Sequence, residues 1–236
     1  METLEKNHRP QARFGFYISL LTSITTLITF SIAFKTPPLS GPGCASGCFE
    51  YPYTGIESRF PRDYYWMYPT MLISILFLIL IIVIHEYADD GKKIYSRIGM
   101  AFSVVSAAIL IPNYFIQVSV VQPSLVNGEA EGIALITQFN PHGIFIALEE
   151  AGFLLMNLAL FSIIPVFAAK DGLFKALRIT FLTGFLAALF SLIYISARFG
   201  IRREYILEIM IISIVWLELI ISSTLLCFVF KRELKK

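Results

Sequence analysis

Six long apolar runs, separated by shorter polar segments, dominate the hydrophobic pattern of this chain. They lie at about residues 14–34, 67–87, 98–122, 141–168, 176–198 and 205–230. An α-helix needs about 20 residues to cross roughly 30 Å of hydrocarbon, and each run reaches that length. The alternating polarity of a membrane β-barrel strand is absent. The pattern therefore predicts an all-α polytopic membrane protein, a six-transmembrane-helix bundle that forms a single integral domain over residues 1–236.

The composition agrees with this pattern. Of the 236 residues, 56% are hydrophobic and only 15% are charged, whereas soluble domains carry roughly 25% charged residues. The lipid bilayer is therefore the expected partner of most of the surface. The formal net charge of +2 is too small to indicate a nucleic-acid partner, and we expect none.

The first apolar run follows Lys6, Arg9 and Arg13, an arrangement that also occurs in signal peptides. The run is long enough to span a bilayer, and no small-residue cleavage pattern follows it. We therefore expect it to be retained as the first span.

The distribution of Lys and Arg predicts the orientation, because cytoplasmic loops of membrane proteins carry an excess of these residues. If the N-terminus is inside, thirteen of the 19 Lys and Arg residues lie inside and six lie outside. The inner residues are Lys6, Arg9, Arg13, Lys92, Lys93, Arg97, Lys170, Lys175, Arg178, Lys231, Arg232, Lys235 and Lys236. The prediction is N-in/C-in.

The longest segment between runs, residues 35–66, is predicted to lie outside the membrane. It contains Cys44 and Cys48, the only cysteines outside a span, and disulfides form on the oxidising side of a cell membrane. We predict a disulfide between them. A metal or redox pair is the alternative, but no histidine in this loop completes a metal site. The Tyr and Trp residues of the loop suit the membrane interface or a cap over an outward-facing pocket.

Four polar residues interrupt the fourth run: His142, Glu149, Glu150 and Asn157. A carboxylate at the centre of a bilayer helix costs roughly 2.5–3.5 kcal/mol on insertion scales, so two adjacent glutamates require an explanation. With 3.6 residues per turn, the four side chains fall on one helical face about 100° wide. We predict that this helix begins at Asn140-Pro141 and is central in the bundle.

Polar residues in two other runs are predicted to face this helix. Asn113 and Gln117 lie one turn apart in the third run, and Glu218 lies in the middle of the last. At a rise of about 1.5 Å per residue, Glu149 should be level with Asn113 and Glu218, near the bilayer centre. The predicted ligand-binding residues are Asn113, Gln117, His142, Glu149, Glu150, Asn157 and Glu218.

At least one of these carboxyl groups is expected to be protonated, because burial and a neighbouring carboxylate both favour the neutral form. No Lys or Arg is predicted at their level, the nearest being Arg198. Such a site suits a proton, a metal ion, an organic cation or a hydroxyl-bearing ligand. Alternatively, the protonated glutamates only hydrogen-bond neighbouring helices.

A second charged cluster is predicted outside the membrane. Arg198, Arg202 and Arg203 could hold an anionic group or pair with nearby glutamates, and we favour pairing. The candidate partners are Glu129, Glu131, Glu204 and Glu208.

Three functions follow as hypotheses. The first is a protein that binds or transports a small cationic or hydroxyl-bearing ligand, with proton uptake and release by one glutamate. The second is an accessory or structural subunit of a larger membrane complex. The third is an intramembrane enzyme acting on a lipid-soluble substrate, with a glutamate as general acid or base and His142 as its partner.

Motifs for phosphate, zinc and acyl-transfer sites do not occur in the sequence, so we expect no cofactor and no resident metal. As a whole, the chain resembles small multi-pass proteins of bacteria and archaea. The expected location is therefore a prokaryotic plasma membrane.

Overall fold

Six helices of the protein are long and apolar enough to cross a membrane. The computed structural model describes residues 8–36, 38–41, 44–168 and 171–235, and these contain no strand. The helices are α1 (His8–Ala33), α2 (Met67–Tyr87), α3 (Lys93–Ile116), α4 (Ile144–Ser162), α5 (Gly172–Phe199) and α6 (Glu204–Glu233). The all-α, six-helix prediction is therefore confirmed. The orientation stays a prediction, and three charges on which it rests, Lys6, Lys170 and Lys236, lie outside the described residues.

The helices pack in chain order around the bundle. Each contacts the next, α6 returns to contact α1, and α4 also contacts α6. A larger share of the apolar part of α4 is buried than of α1 or α5. This placement agrees with a helix whose polar face cannot be turned toward lipid.

The start of α4 differs from the prediction. Residues 141–143 form a turn, and the helix begins at Ile144 after Gly143 in an extended conformation. The Asn140 side chain accepts a hydrogen bond from the His142 N–H (2.9 Å) and donates to the carbonyl of Ala134 (2.7 Å). Asparagine thus builds a local turn, as its short amide side chain often does, and Pro141 is not the first helical residue.

The described residues of the segment 35–66, together with residues 127–143, cover one end of the bundle, which we call the disulfide end. Cys44 and Cys48 form the predicted disulfide. The Ser40 hydroxyl donates to the carbonyl of Phe139 and lies 2.8 Å from the Tyr205 hydroxyl. These contacts hold the two loops against the start of α6.

Asp171 begins α5 at the opposite end, which we call the terminal end. Its carboxylate accepts hydrogen bonds from the backbone N–H groups of Leu173 (2.8 Å) and Phe174 (3.4 Å), as a helix N-cap does. It also forms an ion pair with Arg232 near the end of α6. The hydrogen bond from Arg232, supported by the two N–H groups, holds the pKa of the Asp171 carboxyl below its ordinary value.

Replacing Asp171 with alanine is expected to lower Tm by a few degrees at neutral pH, because the N-cap and the ion pair are lost together. Since the folded-state pKa is lowered, the stabilisation is complete above the unfolded-state pKa of about 4. It is lost as the pH falls through the folded-state pKa. As the pH of thermal unfolding experiments is lowered, the Tm of the wild type should therefore approach the Tm of Asp171→Ala. A difference in Tm that persists unchanged at the most acidic pH would exclude the carboxylate as its source.

Candidate functional site

A cavity of about 170 Å³ lies at the disulfide end, between α1, α6 and the covering loops. A cavity of about 150 Å³ is large enough to hold benzene. Aromatic side chains form much of its wall: Phe30, Phe34, Trp66, Phe139, Phe145, Tyr205 and Trp216. Trp66 and Trp216 meet edge to face, with ring centroids 6.3 Å apart. Such walls attract organic cations as well as apolar groups.

Glu208 connects this cavity to the bundle interior. It lies in the second turn of α6, is only 7% exposed and lines the cavity. Its carboxyl group lies close to that of Glu149 on α4, and the Tyr114 hydroxyl on α3 donates to Glu149 Oε1. Three helices thus bring one hydroxyl and two carboxyl groups together.

Glu149 and Glu208 can hydrogen-bond to each other only through a proton, because an ionised carboxylate has no donor. Glu149 Oε2 has no N–H or O–H donor in the described part of the chain, and a protonated Glu208 supplies one. A direct contact between the two carboxyl groups therefore requires that at least one of them carries a proton.

Glu150, the next residue along α4, has a different partner. Arg203 Nη2 donates to Glu150 Oε2 at 2.9 Å, and the two side chains are 39% and 9% exposed. The expectation that no basic group reaches the adjacent glutamates is therefore wrong. Arg203 lies between α5 and α6 in the chain, and its long side chain extends from that turn to α4. Among the side chains that the structure describes, its carboxylate partner is Glu150.

Asp63 also lines the cavity, but its charge is compensated. Arg59 Nε lies 2.6 Å from Asp63 Oδ2 and Arg62 Nη1 lies 3.7 Å from Oδ1. Since Glu150 is paired as well, Glu149 and Glu208 are the carboxyl groups near the cavity without a basic partner among the described residues. A carboxyl group beside aromatic walls suits an organic cation.

Glu218 belongs to a separate polar cluster deeper in the bundle. Asn157 Nδ2 donates to Glu218 Oε2 at 2.7 Å, and Glu218 is 4% exposed. Gly184 on α5 lies so close that an added methyl group would overlap the Glu218 carboxyl. The prediction that Glu149 and Glu218 share one level is wrong, because Asn157 is about 12 Å further along α4 than Glu149.

The remaining predicted residues have local partners. Asn113 Nδ2 donates to a backbone carbonyl in the first turn of α4 (2.9 Å). Gln117 bonds backbone groups of residues 136–138 at 2.6 and 2.9 Å, and so ties α3 to the covering loop. His142 is exposed on the turn before α4, outside the helical face predicted for it. The seven predicted residues are therefore distributed over several local environments rather than gathered in one pocket.

Tyr114 and Glu208 are absent from the predicted site. Glu208 is predicted to pair with the outer arginines. Its position inside the apolar run 205–230 also indicates an intramembrane carboxyl group. Tyr114 gave no comparable signal, because aromatic residues are common in spans near the membrane interface.

Comparisons with protein-family models, curated proteins and solved structures find no match for this chain. Its class therefore rests on its own fold, which is that of a multi-pass membrane protein with six spanning helices. Among the described residues, His, Cys, Asp and Glu form no group of three or more that could hold a metal ion.

Proposed function

We propose that this protein binds a small organic cation in the cavity at the disulfide end and exchanges it for the proton shared by Glu149 and Glu208. One observation carries the proposal: a single cavity combines aromatic walls with a carboxyl group that lies close to a second, buried carboxyl. The π faces suit an alkylammonium group, and Glu208 supplies the opposite charge.

A bound cation favours exchange for electrostatic reasons. Its positive charge offsets the second negative charge that ionisation of both carboxyl groups creates, so the shared proton leaves. In the N-in/C-in orientation, the disulfide end faces the outside of a prokaryotic plasma membrane. Repeated exchange from that side would couple cation movement to proton movement.

The two other hypotheses receive less support. A subunit that pairs its intramembrane carboxylates with another protein would present them to lipid, whereas Glu149, Glu150 and Glu218 are at most 9% exposed. An enzyme that combines His142 with a glutamate needs both groups within reach of one substrate. His142 lies on an exposed turn before α4.

Intrinsic fluorescence can test the proposal, because Trp66 and Trp216 are the only tryptophans of the chain and both line the cavity. We expect choline to change the emission of the purified protein. Its neutral isostere, 3,3-dimethylbutan-1-ol, should bind about tenfold more weakly, because it lacks the charge for cation–π and Coulomb attraction. Glu208→Gln should weaken choline binding about tenfold and leave the isostere unaffected.

Glu218→Gln is the matched control, since it removes a buried carboxyl of the same helix that does not line the cavity. It should bind choline as the wild type does. Equal affinity for the two probes would contradict a cation site and favour a hydroxyl-bearing ligand. Choline binding that is unchanged in Glu208→Gln would remove Glu208 from the site.

A further inference from the structure

A groove of about 630 Å³ lies at the terminal end, between α3, the end of α4 and the start of α5. Its walls are mainly apolar and include Ile98, Phe161, Ile164, Ile179 and Leu182. Lys175 and Arg178 also line it, and we call it the basic groove. It is separate from the cavity at the disulfide end and has no part in the proposed cation exchange.

The basic groove is charged at one end and apolar beyond it. Lys175 and Arg178 lie in the first two turns of α5, whereas Ile179 and Leu182 follow toward the middle of the bundle. Leu182 is about 10 Å further along the helix than Lys175. A phospholipid has the same order, with a charged headgroup at the membrane surface and acyl chains below it.

The two cations of the groove have no ion-pair partner among the residues that the structure describes. Three other cations at the terminal end have carboxylate partners. These pairs are Lys92–Asp89, Lys93–Asp90 and Arg232–Asp171. The positive charge of the groove is thus uncompensated within the described protein.

We infer that the basic groove binds an anionic phospholipid. Lys175 and Arg178 would hold the headgroup phosphate, and one acyl chain would lie along Ile179 and Leu182. Basic pockets between spanning helices hold anionic headgroups in this way on the cytoplasmic side of membranes. The N-in/C-in orientation would make this a lipid of the inner leaflet.

Native mass spectrometry of the full chain in detergent tests this inference, with dioleoyl-phosphatidylglycerol and dioleoyl-phosphatidylcholine as probes. The anionic lipid should bind more tightly. The double variant Lys175→Gln/Arg178→Gln should weaken binding of the anionic lipid about 25-fold, because each basic residue near an anionic surface contributes a factor of about five. Lys231→Gln/Lys235→Gln removes the same charge from the same end outside this groove, and it should bind the anionic lipid like the wild type.

Leu182→Trp supplies a second test that leaves the charge unchanged. The larger side chain fills the apolar part of the groove, so this variant should also weaken binding of the anionic lipid. Glycerol 1-phosphate has no acyl chain and should not compete with the lipid. Three results would overturn the inference: equal binding of the two lipids, equal losses in the two double variants, or competition by glycerol 1-phosphate. The last result would indicate a soluble phosphate site.

Discussion

Replacing Gly184 with alanine is expected to lower the free energy of unfolding by roughly 2–4 kcal/mol. The added methyl group would overlap the Glu218 carboxyl, which is buried and accepts a hydrogen bond from Asn157. Either α5 must move away from α6, or Glu218 must give up that bond. Both responses are costly in a close-packed interior. Thermal unfolding should show Tm reduced by roughly 10 °C.

Gly172→Ala is the matched control, because it adds the same methyl group to the same helix where nothing lies within 4 Å of the new atom. Its Tm should stay at or slightly above that of the wild type. Glu218→Ala should recover part of the stability lost in Gly184→Ala, since it removes the overlapping group. If Gly184→Ala and Gly172→Ala unfold at the same temperature, the close approach of Gly184 and Glu218 is not present in solution.

Arg203→Gln is expected to destabilise the protein by roughly 1–3 kcal/mol. Breaking a fully buried ion pair costs about 3–5 kcal/mol. The loss expected here is smaller because the Arg203 side chain is 39% exposed, so solvent screens its charge. The variant leaves the Glu150 carboxylate buried without its cation. Glu150→Gln in the same chain should restore most of the stability, because the unpaired charge is then removed.

Arg202→Gln serves as the control for this pair, since Arg202 is the exposed neighbour and forms no ion pair with the described residues. It should unfold like the wild type. Additive losses in the Arg203→Gln/Glu150→Gln double variant would mean that the two side chains do not interact.

The spanning helices could be predicted from the sequence because bilayer thickness imposes a minimum length on every apolar run. The run at 67–87 coincides with α2, Met67–Tyr87. The disulfide could also be predicted, because Cys44 and Cys48 are close in sequence and lie in one loop. Each of these predictions depends on local sequence alone.

The arrangement of the candidate site depends on contacts between distant residues, and these could be predicted only in part. Glu149 and Glu150 point to different partners, as their 100° separation on a helix implies. The partners themselves, Glu208 and Arg203, lie more than 50 residues away in sequence. Glu149 is five residues from the start of α4 at Ile144, rather than eight residues from a helix start at Pro141.

Cation–proton exchange at the Glu149–Glu208 pair can be tested by counting the protons released when choline binds. Isothermal titration calorimetry at one pH, in buffers that differ in ionisation enthalpy, gives this number. Close to one proton should be released per bound choline, because the shared proton leaves as the second carboxyl group ionises. Choline binding with no proton release would contradict this exchange.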